Sequence, residues 1–547
     1  MPFSLTVDDP SALTFAPVGG TFLLTVSDPA AIKFVPTEDE PPVDPPAFMP
    51  SAERVRDRIA LGGPLAEDVP AYLDAVLAGM SDTDARRAAW PIGWTQAEYP
   101  FPDNPGPAEE SIVRIIGRKD ALHGYMGEFW LNNLVPGHKA IGGGSKLAST
   151  MSLISYFHDH ALGNFEGLLK RFVGSVPLIY FMNNDVNVAT ARNENLGREI
   201  LELFVLGIAD ADEAPRYDPI IDVEELSRVL TGWNTRNLET GELVDGDPAH
   251  VKGVGGSGPV RYSNGVFTHD HTCQTAWLYP DMHDGDPARF TFFPGVTFSN
   301  EVDGPGVAGY AMHPSLDKFL TMLARHRPAA RYQCRKIARW FIGRDPTPAL
   351  RDAMIDAYMA NLDAPDQIAK VLKVLFTSAD FCGEYADDRR ALTPMAFYSK
   401  LVNYFGDAGF PAGVSTTAIR GMMREEFYTT ATYQSPDGYH DEAPYWLSPA
   451  ALTARAEQTQ TIIVRSPGAN PETKADLRAW AVAKGFVTPR DFITDVGTYW
   501  RVTNTYPLLA LFAAPDSPAD WSASPVRTAM QDALRTVMLT DRAHMAA

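Results

Sequence analysis

Cysteine is scarce in this chain of 547 residues. The three present, Cys273, Cys334 and Cys382, are far apart and odd in number. No disulfide framework or thiolate zinc site is implied. Long apolar runs are also missing, so no stretch is suited to crossing a bilayer. The opening residues, MPFSLTVDDP, carry neither a basic n-region nor an apolar h-region. A classical signal peptide is therefore not expected, which leaves the cytoplasm or export by a route not written at the N-terminus. Cationic side chains are in short supply: 47 Lys and Arg stand against 68 Asp and Glu, a formal charge of −21. Such a balance argues against nucleic-acid partners and against docking on an anionic membrane. It favours cationic ligands or calcium instead. The common catalytic fingerprints are absent as well, with no G-x-S-x-G elbow, phosphate-binding P-loop or dinucleotide motif. The glycine-rich runs Gly142–Ser145 and Gly253–Gly258 read as turns.

What is present is a hydrophobic content of 45%, enough for a sizeable core. Periodicity predicts a mainly α protein: a large multi-helix body with a small N-terminal β arm and an irregular insertion. Residues 1–37 hold a repeat, LTVDDPSALTFAP (Leu5–Pro17) followed by LTVSDPAAIKFVP (Leu24–Pro36). Each copy reads as strand, Asp-Pro turn, strand, hence as its own hairpin. A Pro-rich acidic linker spans 38–50. Helical parts are expected over 51–235 and 313–465. Between them, 236–312 is rich in glycine, aspartate, histidine and aromatics. A C-terminal extension, 466–547, has helices near Asp476–Lys484 and Ser524–Thr540. Trp277, Tyr279, Phe290, Phe292 and Phe293 crowd the insertion and read as a local mini-core rather than a sugar-binding groove.

The segment Asn193–Trp233 concentrates charge on a helix. Asn193 reads as N-cap and Gly207 as C′ glycine. Leu196, Ile200, Leu203 and Phe204 form an apolar flank, while Glu194, Arg198, Glu199 and Glu202 gather on the other. Arg198 stands four residues from both Glu194 and Glu202 and can pair with each. A second helix is expected to open at Asp222, with Glu225 completing a capping box, and to end at Thr231-Gly232-Trp233.

This NENLGREILELFVLG…LTGW pattern resembles the core motif of the bacterial domain-of-unknown-function 1800 family. Further pieces follow in order: HALGNF at 160–165, MHDGDPARFTFFPG at 282–295, CRKIARWF at 334–341, LFTSADF at 375–381, LTPMAF at 392–397 and SPDGYHDEAPYWLSPAALTAR at 435–455. The resemblance covers roughly 110–460 and implies no settled activity. Where the family shows tryptophan followed by H-N-H, this chain reads FWLNNL, with Leu131 and Asn133 in place of both histidines. Gly438-Tyr439-His440 likewise replaces G-W-P.

Two His-Asp-His triplets, His158–His160 and His269–His271, mix imidazole and carboxylate. His269, His271, His283 and Asp284 are the candidate ligands for a divalent or transition metal. His160 reads instead as a residue that caps or hydrogen-bonds within the core. His283 and Asp284 fit two descriptions, a loop clasp or a histidine oriented for proton transfer. Two functions follow. One is a binding or assembly protein that self-associates or engages a partner through the β arm. The other is a hydrolase or metal-dependent oxidoreductase acting on a polymer or cell-surface substrate. Its catalytic candidates are Glu194, Arg198, Glu199, Glu202, His283 and Asp284.

Overall fold

The computed structural model describes residues 3–7, 13–18, 21–26, 32–36, 48–61, 66–78, 121–137, 153, 156–208, 215–237, 261–263, 266–268, 274–302, 312–383, 390–409, 437–439, 443–463, 475–540, 543 and 545–546. The protein is mainly α, and its strands occur as two-stranded antiparallel pairs among the described residues. It divides into two compact units, Met1–Phe48 and Met49–Ala547.

The first unit holds four strands, β1 (Phe3–Val7), β2 (Leu13–Val18), β3 (Thr21–Val26) and β4 (Ile32–Pro36). The repeat does not fold as two self-contained hairpins. Instead β1 pairs with β4, and β2 pairs with β3. Leu5 stands opposite Phe34, and Leu24 stands opposite Phe15. These positions are equivalent in the two copies, so the pairing is exchanged between them with an internal two-fold relationship. The local turn rule foresaw the strands but not the exchange, because a short turn signal says nothing about which non-local partner wins.

In the second unit, helix ends follow side-chain chemistry. Asn164 Oδ1 accepts from Glu166 N at the start of the helix Phe165–Val173. Thr488 and Asp491 form a reciprocal capping box before Pro489–Trp500. Ser448 caps Pro449–Ile463. The core is aromatic, with Trp130, Trp233, Trp446, Trp480 and Trp500 almost fully buried. Residues after 465 join this core: Trp480 Nε1 donates to the Tyr404 carbonyl at 3.1 Å. In the insertion, Trp233–Asn237 pairs with Gln274–Leu278. Phe290, Phe293 and Phe298 are buried against Phe319, with Phe290 and Phe319 centroids 4.4 Å apart. That is a mini-core, as composition suggested.

The charged helix runs over Asn195–Glu199 and continues as a π-helical turn, Ile200–Val205. Asn193 Oδ1 accepts from Asn195 N, so Asn193 does terminate the segment, one residue outside the formal cap. Leu196, Ile200 and Phe204 are fully buried; Leu203 is only partly so. Gly207 has φ 72° and Gly232 φ 70°, the left-handed conformation expected of helix-ending glycines. The following helix, Ile221–Val229, departs from expectation. Asp218 Oδ1, not Asp222, accepts from the exposed N–H groups of Ile220 and Ile221. Asp222 is fully buried and instead accepts from Asp218 N and from Thr291 N and Oγ1. Glu225 turns outward from the helix end to accept from Arg289 N. Both carboxylates are recruited by the insertion, which offers N–H groups that local capping cannot match.

Candidate functional site

The helix Ala121–Asn133 is buried along its whole length and delivers Asn132 and Asn133 to a cavity of about 290 Å3. These lie in the FWLNNL stretch; Leu131 is fully buried in the core. Asn132 clamps the segment Asp437–Tyr439 that forms a second wall. Its Oδ1 accepts from Tyr439 N at 2.7 Å, and its Nδ2 donates to the Tyr439 carbonyl at 3.3 Å. Gly438 has φ 75°, and a Cβ there would lie 2.2 Å from the Asn132 carbonyl oxygen, so only glycine fits. The third wall is the helix Arg327–Ile342, through Tyr332, Arg335, Lys336 and Arg339. A smaller cavity of about 120 Å3 shares Tyr332 and Arg335 and adds Arg216, Arg331 and Arg351.

The charged helix meets this region at its C-terminal end. Four carbonyls left over by the helix are satisfied by side chains. Leu203 O accepts from Tyr332 Oη and Lys336 Nζ, both at 3.0 Å. Gln333 Nε2 serves Phe204 O at 2.8 Å and Val205 O at 3.4 Å. Arg216 Nη1 serves Leu206 O. Lys336 and Arg216 also place positive charge at the negative end of the helix dipole.

On the polar face, Arg198 bridges Glu194 at 2.9 Å and Glu202 at 3.3 Å, the double pairing the spacing predicts. The face grades inward: the Glu194 side chain is 54% exposed and the Glu202 side chain 20%. Burial, then Glu202 and Asp437, raise the Glu199 carboxyl above its ordinary value, against the pull of Arg198. Asp437 also lines the cavity, although Glu199 itself does not. Burial and Glu202 push the nearby Tyr217 hydroxyl up as well.

His283 and Asp284 belong to a different neighbourhood. His283 Nδ1 donates to the Thr231 carbonyl at 2.7 Å, and its ring lies 5.2 Å from that of His313. Burial lowers its pKa despite the backbone bonds from Thr231 and Asn300. Asp284 is gripped by Arg192 at 3.1 Å and Arg228 at 3.3 Å, and its Oδ1 accepts from Asp286 N. Burial pushes this carboxyl up, but the Asp286 N–H and the two arginines outweigh it and hold it below the usual range. Arg228 also pairs with Glu225 and donates to the Asp286 carbonyl. This is a clasp fastening the loop to the helix Ile221–Val229.

His269 and His271 lie outside the described residues. Among the described residues, no group of three His, Cys, Asp or Glu side chains is placed to hold a metal ion. His160, expected in the core, is instead exposed: it bonds the Tyr156 carbonyl one turn back at 3.1 Å and stacks on the Tyr156 ring at 4.0 Å, so its partner is local. Cys334 is fully buried, and burial pushes its thiol pKa up, as befits a core residue. The arginine-rich wall was not singled out from the sequence. Its signal was there: Arg331, Arg335 and Arg339 recur at four-residue steps in a strongly acidic chain.

A family model described as protein of unknown function (DUF1800) matches residues 77–543. No curated protein and no solved structure matches the chain.

Proposed function

The chain belongs to the DUF1800 family, and from that premise we propose that it is a binding and assembly protein that self-associates or engages a partner through residues 1–37. The observation that carries this reading is the exchanged pairing of the repeat. Each arm strand has one antiparallel partner among the described residues, which leaves the other edge of every strand unpaired there. Two-stranded ribbons are marginal by themselves, and open edges are templates for further strands. Pairing that already passes from one repeat copy to the other is also pairing that two chains can exchange. The test is size-exclusion light scattering of the full chain and of a variant lacking residues 1–40, with elemental analysis of the same samples. An oligomer that reverts to monomer on deletion, free of bound metal, is the expected result. An unchanged mass removes self-association through the arm.

A second reading is a hydrolase or metal-dependent oxidoreductase acting on a polymer or cell-surface substrate. What favours it is Glu199, a carboxyl whose pKa, raised in part by the cavity-lining Asp437, suits proton donation. Glu194, Arg198 and Glu202 would tune that group, while His283 and Asp284, engaged in the clasp, stand outside it. A stoichiometric transition metal in the elemental analysis would support this reading over assembly alone.

A further inference from the structure

We propose that the two cavities on the helix Arg327–Ile342 form one binding site for a small ligand bearing phosphate or sulfate groups. The first argument is charge. The walls carry Arg216, Arg331, Arg335, Lys336, Arg339 and Arg351 against two carboxylates, Asp345 and Asp437, with Asp352, not itself a wall residue, paired to Arg351 at 2.9 Å. A cluster of this sign in a chain of formal charge −21 runs against the whole-molecule field, and its electrostatic focus attracts anions.

The second argument is helical spacing. Arg331, Arg335 and Arg339 stand at i, i+4 and i+8 on one helix, where like charges destabilise rather than support the helix. Asp345 supplies one carboxylate and shows how the wall grips an oxyanion. Arg335 Nε and Nη2 reach its two oxygens at 2.8 and 2.9 Å, and Arg339 Nη1 reaches one of them at 3.2 Å. That fork is the geometry by which guanidinium recognises carboxylate, phosphate and sulfate.

The third argument is rigidity. Lys336 and Arg216 are anchored on the carbonyls of Leu203 and Leu206, and Asn132 locks the wall opposite. The site is therefore organised before any ligand arrives. The two cavities share Tyr332 and Arg335, so a ligand with two anionic groups can place one in each.

Isothermal titration calorimetry of the full chain in about 150 mM salt, where exposed charges are screened, tests the site. Inorganic pyrophosphate and a disulfated disaccharide serve as probes. Saturable 1:1 binding of at least one probe is expected. Binding of pyrophosphate alone assigns the phosphate class, and binding of the sugar alone assigns the sulfate class. The double variant Arg331→Gln/Arg351→Gln should weaken binding by about tenfold or more, about 1.4 kcal/mol. Arg327→Gln removes an exposed arginine of the same helix that pairs with Asp356 and lines neither cavity, and should leave binding unchanged. Near-ultraviolet circular dichroism establishes that the variants are folded. Absence of saturable binding for both probes overturns the proposal. So does equal affinity in the double variant and the Arg327→Gln control.

Discussion

Glu199 is the residue whose charge is most at odds with its surroundings on the helix Asn195–Val205. Burial disfavours its ionised form, and Glu202 and Asp437 add repulsion that Arg198 only partly offsets. A carboxyl raised in the folded state binds its proton more tightly folded than unfolded. Stability is then lost as pH rises from the unfolded carboxylate range through the folded value. Glu199→Gln should therefore raise stability at pH 8, by less than about 1 kcal/mol because water still screens the site. The gain should vanish below about pH 4, where both states are protonated. Urea midpoints at the two pH values decide the matter. A variant less stable than the parent at pH 8 would mean that the carboxylate is held by a partner. The neighbouring Arg198 pairs were legible in the sequence because they follow from four-residue spacing alone. Asp437 was not, since more than two hundred residues separate it from Glu199 and only the tertiary fold joins them.

The helix that carries these residues ends in an unusual way, and its end is what ties it to the cavity wall. A π turn is uncommon and is found often at functional sites. Here Leu206 N and Gly207 N both reach back to the Leu201 carbonyl at 3.1 Å, so the carbonyls beyond need partners from elsewhere. Gln333, fully buried, serves two of them through one amide. Gln333→Leu keeps the side chain's bulk but removes that donor. It should cost about 1–3 kcal/mol, the penalty for buried acceptors left unmet, read as a lower urea midpoint with an unchanged m-value. A neutral outcome would show that water replaces the amide. At this scale the sequence was a good guide to helices and a poor one to their endings. Leu196, Ile200 and Phe204 lie at helical spacing and are buried as that spacing implies. Asp222 looked like a cap, yet the insertion's Thr291 claims it, which no local pattern encodes. The arm is similar: its strands were legible from alternation, while their exchange between repeat copies depends on non-local register. The cavity escaped because its walls come from residues near 132, 335 and 438: FWLNNL and Gly438-Tyr439 stood out singly in the sequence, but only the tertiary fold joins them to each other and to Arg335.

One buried charge cluster links parts of the body that are far apart in sequence. The family match reaches residue 543, beyond the motifs recognisable by eye, and the C-terminal helices are packed accordingly. Asp57, on the helix Ala52–Arg58, is fully buried and meets Arg56 at 2.8 Å, Lys400 at 3.3 Å and Arg501 at 3.5 Å. It thereby ties the first helix of the body to the helix Pro394–Gly409 and to the residue that ends Pro489–Trp500. Burial alone would raise the Asp57 pKa, but Lys400, Arg56 and Arg501 outweigh it and hold it below the usual carboxylate range. Lys400 is lowered in turn, chiefly by burial and against the attraction of Asp57. Asp57→Asn leaves that lysine buried without its counter-charge and should cost about 3–5 kcal/mol at neutral pH. The sign with pH follows from the depressed carboxyl. Its contribution is complete above about pH 4, the unfolded range, and is lost as pH falls through the lower folded value. Parent and variant should therefore converge in acid. Adding Lys400→Met to Asp57→Asn removes the stranded cation and should recover much of the loss, since apolar replacement of a buried ion pair is often neutral or better. Thermal unfolding of the three proteins at pH 7 and at pH 3 distinguishes the causes. If the double variant is as unstable as Asp57→Asn, lost packing rather than uncompensated charge is what the cluster prevents.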